Sequence, residues 1–407
     1  MEKQKKIPKL RFPEFEGEWI QEKLDDVASK IQDGTHFSPE LLVEGKFLYI
    51  TSKNVKNGYI DLSDSYYVSY EDHKNIYKRC DTKKGDVLLT KDGTIGQASI
   101  NTLSEEISLL SSVAFIRAKD KYLNEFICQL LLSPEGQREI KKSIAGQALK
   151  RITLTKIKNF NYYFPSLPEQ QKIASFFTAI DQKISQLKRK LTLLEEYKKG
   201  VMQKIFSQEI RFRDDNGQEF PKWEKKRLGE LTYKTGKKNK GSTPYPIYSI
   251  NNREGFLPQG DQFEGVDSNS RGYDISLYKI IEEKTFAYNP ARINVGSIGF
   301  SGDLKDIIIS SLYVCFKTKQ GVEDAYLLHY LKTFQFNKSV LQNVEGGVRD
   351  YLFYENFSNI KINLPSNKEQ LKIANFLSAI DDKINHTQKQ VEKAEVWKKG
   401  LMQQMFC

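Results

Sequence analysis

The chain has 407 residues, a formal net charge of +11, 39% apolar residues and 12% aromatic residues, which allows two or three domains with cores of their own and excludes wholesale disorder. Its longest apolar run, Ile307 to Phe316, contains two serines and falls far short of a membrane span. The opening MEKQKKIPKLRF is charged and lacks the apolar centre of a signal peptide, so a cytoplasmic, unprocessed protein is expected.

In chain order, LRFPEFEGEW (Leu10 to Trp19) leads into a short helix beginning at Leu24. The runs FLYITSKNV, YIDLSDSYYV, DVLLT and SLLSSVAFIRA are rich in β-branched or aromatic residues and bounded by Gly, Asp or Asn, which predicts strands. DGTHFSPE (Asp33 to Glu40) is a polar turn-forming loop between them. Leu123 to Ile144 reads as helix with breaks at Pro134 and Gly136, AGQALKRI (Ala145 to Ile152) as a loop, and FNYYFP as a strand.

From Glu169 to Phe206 the pattern changes. Ile173, Phe177, Ile180, Ile184, Leu187, Leu191, Leu194, Val201 and Ile205 alternate steps of four and three, the seam of a helix that packs on a partner helix. The seam misses one beat at Lys198, which the neighbouring Tyr197 is expected to cover. At 1.5 Å per residue such a helix spans about 57 Å.

Two hundred residues on, Lys368 to Phe406 repeats this helix, with Ile373, Leu377, Ile380, Ile384 and Val391 on the seam. The repeat extends to the domains. Arg11, Phe12, Trp19 and Leu24 match Arg211, Phe212, Trp223 and Leu228, and Gly93-Thr-Ile-Gly96 matches Gly296-Ser-Ile-Gly299. PYPIYSINN, SLYKIIEEKTFAYNP and DIIISSLYVCFKT are the second domain's strands and AYLLHYLKTFQFNKSVLQNV its helix. The expected layout is a mixed domain at 1–165, a helix at 166–207, a second domain at 208–365 and a helix at 366–407, an α+β chain. These segments carry net charges of +3, +4, +2 and +2, a spread surplus suited to an extended polyanion.

The pattern excludes several chemistries. The scattered four cysteines and four histidines have no zinc-ligand spacing, so neither a metal site nor a disulfide framework is expected. The two G-[ST]-I-G loops lack the Lys-Ser/Thr of a P-loop, and no nucleophile elbow or zinc-protease motif occurs. Asn289-Pro290-Ala291-Arg292 lacks the second proline and aromatic ring of an amino-methyltransferase signature. The domains read as binders without catalysis. Bases are read by Arg, Lys, Asn and Gln, and phosphates are held by Ser, Thr and backbone N–H. The best placed are Gln147, Lys150 and Arg151 with Arg349, and Lys91 and Thr94 with Arg292 and Asn294. Thr35 and His36, and Lys237, Lys238 and Asn239, are further candidates.

The duplicated P-x-x-x-E-Q-x-K-I-A-x-F-[FL]-x-A-I-D-x-K-I stretch, the K-K-G-[VL]-M-Q ending, the W-x-x-x-x-L opening, DGTH and G-D-V-L-x-T-x-D-G-T-I-G together resemble the specificity subunit of type I restriction-modification enzymes. The resemblance implies two target-recognition domains, each reading half of a bipartite, asymmetric double-stranded DNA target. It implies an antiparallel coiled coil that sets the spacer and docks two methyltransferase subunits. S-adenosylmethionine then belongs to those modification subunits, and ATP with magnesium to the restriction subunits, with no cofactor in this chain. A coiled-coil scaffold that never meets DNA is the rival reading; it explains the heptads but not the duplicated, loop-rich basic domains.

Overall fold

The computed structural model describes residues 5–146, 150–252, 254–262, 267–268, 271–344 and 351–407. The chain forms two compact units, one of residues 1–189 with 388–407 and one of residues 190–387. Both long helices are therefore shared. The central helix, Leu167–Phe206, gives its start to the first unit and its end to the second; the C-terminal helix, Asn367–Met405, does the reverse.

The first unit is built on an antiparallel sheet in the order Ala28–Asp33, Val113–Ala118, Val87–Thr90 and Ala98–Ile100. The run SLLSSVAFIRA divides between two sheets instead of forming one strand. Ser108–Leu109 pairs parallel with Phe47–Ile50, and Val113–Ala118 pairs antiparallel with Val87–Thr90. The paired serines turn the corner: the Ser111 N–H donates to the Thr35 carbonyl, and the Lys91 N–H to that of Ser112.

Helices Asn124–Leu132 and Pro134–Ile144 follow. The break expected at Pro134 is present, because Ser133 caps the second helix by accepting from the Gly136 N–H at 3.1 Å. Gly136 itself is no break. It lies inside the helix, where a Cβ would sit 2.1 Å from the Leu130 carbonyl oxygen, so its role is close approach. Helices Tyr70–Tyr77 and Leu154–Lys158, capped by Ser69 and Thr153, escaped the sequence reading because they are too short to show a period.

The second unit repeats the antiparallel sheet with Thr232–Thr235, Val314–Thr318, Phe286–Tyr288 and Ile298–Phe300, and adds a five-stranded sheet. SLYKIIEEKTFAYNP is broken into a 3-10 turn, Ile275–Leu277, and strands Lys279–Ile281 and Phe286–Tyr288. AYLLHYLKTFQFNKSVLQNV is two helices, Asp324–Tyr330 and Phe334–Asn343, parted at Thr333, which caps the second one as Ser133 does 200 residues earlier.

Each core is completed by a helix end. In the first unit Ile173, Phe177, Ile180 and Ile184 share a core with Met402, Met405 and Phe406, and the Phe406 ring lies 5.7 Å from that of Phe177 and 6.5 Å from that of Trp19. In the second, Ile373, Leu377 and Ile380 share one with Met202, Ile205 and Phe206, and Ile384 packs on its margin. Fully burying such a side chain contributes about 1.5–3 kcal/mol. Val391 is buried, whereas Leu187, Leu191 and Leu194 are half-buried. Tyr197 does not cover the missed beat: it is 54% exposed, and Lys198 itself fills the seam position by pairing with Asp381 at 2.5 Å.

Candidate nucleic-acid interface

In the first unit the loops flagged by sequence converge around Asp33. Its buried carboxylate pairs with Lys91 at 3.0 Å, Arg79 at 3.0 Å and His36 at 3.3 Å. Two cationic partners, Lys91 and Arg79, with the His36 ring beside them, offset the desolvation that a lone buried carboxylate would suffer. Gly34 is required beside it, since a Cβ there would lie 1.9 Å from the Leu109 carbonyl oxygen. The neighbouring Thr35 donates its N–H to that same carbonyl at 2.8 Å.

The hairpin from Lys91 to Gln97 is pinned from within. Gly93 and Gly96 take positive φ, and the Thr90 hydroxyl donates to the Thr94 carbonyl and accepts from the Gln97 N–H at 2.9 Å. The segment after helix Pro134–Ile144 docks on it: the Ile152 N–H donates to the Lys91 carbonyl at 2.9 Å, and Arg151 lies 3.6 Å from Asp92. Lys150, Arg151, Thr94 and His36 are exposed. Lys91 and Thr35 are buried and their side chains hold the loops, Lys91 by its pair with Asp33 and the Thr35 hydroxyl by accepting from the Phe37 N–H at 3.2 Å.

The second unit repeats the junction with other residues. The Leu352 N–H donates to the Pro290 carbonyl at 3.0 Å, which brings the segment at 351–352 against the loop that carries Arg292 and Asn294. Asn289 organises that loop by accepting from the Ala291 N–H at 3.0 Å, and a 3-10 turn, Ile293–Val295, ends at Gly296 with φ 85°. Arg292 and Asn294 are exposed, as are Lys237 and Lys238 on their short strand. Asn239 is buried; its amide donates to the Thr243 carbonyl at 2.9 Å and its oxygen accepts from the Thr243 N–H, so it closes a turn. Gln147 and Arg349 lie outside the described residues.

Sequence reasoning missed the residues that clamp each helix to its domain. Glu169 is buried and accepts from both Arg11 nitrogens Nε and Nη2 at 2.7 Å and from the Trp19 indole at 3.2 Å. Glu369 accepts in the same way from Arg211 at 3.2 and 2.7 Å and from Trp223 at 3.0 Å. Gln170 and Gln370 add a second tie, accepting from the Leu123 and Glu323 N–H groups. The signal was present, because Arg, Trp and Glu-Gln recur in both halves, and a recurring polar residue on a helix seam implies a buried partner.

One cluster has the outline of a hydrolase triad. His73 Nδ1 lies 3.0 Å from the Ser108 hydroxyl and Nε2 lies 3.0 Å from Glu106. Ser108 is fully buried within a strand and His73 stacks on Phe47 at 3.9 Å, so no acyl group reaches the hydroxyl; the cluster is packing. Among the described residues no helix is long and apolar enough to cross a membrane.

The repeated junctions present exposed cationic side chains on pinned loops, Lys150 and Arg151 in one unit and Arg292 beside the Asn294 amide in the other, which makes a protein with two like heads whose chemistry suits a nucleic acid. The sequence model of the family described as the type I restriction modification DNA specificity domain matches residues 16–196 and again 221–395. The chain belongs to that family. The type I restriction enzyme MjaX specificity subunit of Methanocaldococcus jannaschii is similar to it, 26% identical over 98% of this chain and 95% of its own length. The MjaVIII specificity subunit of the same organism is 23% identical over 98% of this chain and 93% of its own. Among solved structures, the S subunit of a type I restriction-modification system from M. genitalium shares the fold with a TM-score of 0.60, 16% identity, and coverage of 98% of this chain and 99% of that one.

Proposed function

We propose that each unit reads one half of a bipartite, asymmetric duplex DNA target and that the chain performs no chemistry of its own. The observation that carries this reading is the repeated loop junction, 91–97 with 150–152 in one unit and 290–297 with 351–352 in the other. The backbone ties recur while the exposed side chains differ, as two unlike half-sites require. An identical pair would read a palindrome.

The two long helices set the number of unread bases between the half-sites and hold two modification subunits. Tyr197 and Trp397, 200 residues apart in sequence and each 54% exposed, offer an aromatic anchor at the matching position of each helix. Half-buried aromatic rings of this kind are common centres of protein interfaces. The modification subunits supply S-adenosylmethionine and the methyl transfer, and the restriction subunits supply ATP and magnesium chemistry.

Sequencing the methylated sites of a cell that carries this chain with its modification subunit tests the proposal. The expected outcome is one asymmetric, interrupted motif that disappears when the chain is deleted. A motif that persists without the chain would overturn it, and a DNA shift that is insensitive to salt would count against electrostatic backbone contacts.

A further inference from the structure

The first unit contains a cleft of about 1100 Å³ that the recognition loops border only at Gln97. One wall is helix Pro134–Ile144, another the hairpin of Val55–Lys56 and Tyr59–Ile60, and the rest comes from the start of the central helix and the end of the C-terminal helix. The hairpin turns through Asn57-Gly58, with Gly58 at φ 88°, and a Cβ there would lie 3.9 Å from the Asp181 carboxylate. The tip therefore reaches the helix and closes the cleft on one side.

Seven Lys and Arg residues line this cleft against two carboxylates. Both carboxylates are already engaged, Asp181 by Lys398 at 2.6 Å and Glu395 by Lys188 at 2.6 Å. Lys56, Lys141 and Lys399 form no ion pair among the described residues. The floor is apolar, with Leu132, Pro134, Ile184 and Met402.

We infer that this cleft takes an acidic segment with one apolar face, supplied by a protein partner of the complex. Charge complementarity selects the acidic side chains, and the apolar floor selects a protein segment over a phosphate backbone, which has no apolar face to cover Ile184 and Met402. The second unit keeps part of this basic lining, with Lys338, Lys198 and Lys199 matching Arg138, Lys398 and Lys399. Lys141 and Lys142 are matched there by Leu341 and Gln342 on helix Phe334–Asn343. The first unit therefore offers this segment the more basic lining. This rests on the reading above that the chain works in a complex with modification subunits.

The test places the photo-crosslinking residue p-benzoylphenylalanine at Tyr59 in the full chain, assembled with the modification subunit and target DNA. The expected product joins position 59 to a net-acidic stretch of that subunit, and Lys141→Glu with Lys399→Glu lowers its yield about tenfold or more while half-site DNA binding is unchanged. A crosslink to DNA, to a neutral or basic stretch, or to nothing overturns the inference and leaves the family reading standing. Failure of the unsubstituted chain to co-purify with the modification subunit overturns the partner reading and this inference together.

Discussion

Lys398 donates to Asp181 at 2.6 Å across 217 residues of sequence, and the Gln129 amide donates to the other oxygen of the same carboxylate at 2.9 Å. The second unit holds the counterpart: Lys198 pairs with Asp381, and His329 stands where Gln129 stands in the first. A lysine at a seam position looks like a flaw in the heptad. Here it is the partner of an aspartate on the facing helix segment, and the direction of pairing (181 with 398, 188 with 395) makes the two segments of the first unit antiparallel.

The lysine is needed only because the aspartate is there. Lys398→Met should destabilise the first unit by about 1–2 kcal/mol, since Asp181 is only partly screened by solvent, and adding Asp181→Asn should recover most of the loss. Urea unfolding of the two single variants and the double variant measures the coupling; strictly additive losses would show that the pair does not interact.

The Glu169 clamp is more enclosed. Glu169→Ala leaves the Arg11 guanidinium without its carboxylate and the Trp19 indole without its acceptor, and should cost roughly 3–5 kcal/mol. Glu369→Ala should do the same to the second unit. Thermal unfolding checks both, and a variant that melts with the parent would place the clamp outside the energetics.

His329 makes the two units differ in acid. Burial, with Lys198 next, lowers its pKa from 6.5 to about 4, against the opposing pull of Asp381. Between those values the unfolded chain binds a proton that the folded chain refuses, so the stabilising contribution is complete above pH 6.5 and is lost as the pH falls toward 4. The loss is at most roughly 3 kcal/mol. His329→Gln, which copies the first unit, should flatten the stability of the second unit over that window. An unchanged pH profile in the variant would remove His329 as the cause.

Half-site readout should separate by unit. Arg292→Ala should weaken or relax only the half-site read by the second unit, by roughly 1–3 kcal/mol if the guanidinium reads a base, and Arg151→Ala only the other. Competition binding with duplexes altered in one half at a time distinguishes the two. Equal losses on both half-sites would mean that these arginines serve general phosphate attraction.

Spacer length should follow helix length. Removing one heptad, Gln186 to Thr192, shortens the central helix by about 10 Å. The methylated motif should then change its spacer, or assembly should fail, with half-site sequences kept. Altered half-sites with the old spacer would rule out the ruler.

The sequence by itself determined the duplicated plan, the two long helices and the family, because heptad spacing and a 200-residue repeat are visible without knowing any distance. It also found the loops that meet at each junction, since Gly, Asp and Asn mark turns wherever they stand. Only the tertiary structure decided which polar residues are buried. Lys91, Thr35 and Asn239 have the composition of ligand contacts and instead hold loops, while Glu169 and Glu369 have that of a solvated helix face and instead anchor it. It also decided that each core is finished by the far end of a helix, with Phe406 beside Trp19 and Phe206 beside Tyr326. The physical reason is that burial and pairing join residues more than a hundred positions apart, and a one-dimensional pattern carries the identity of such residues but not their meeting.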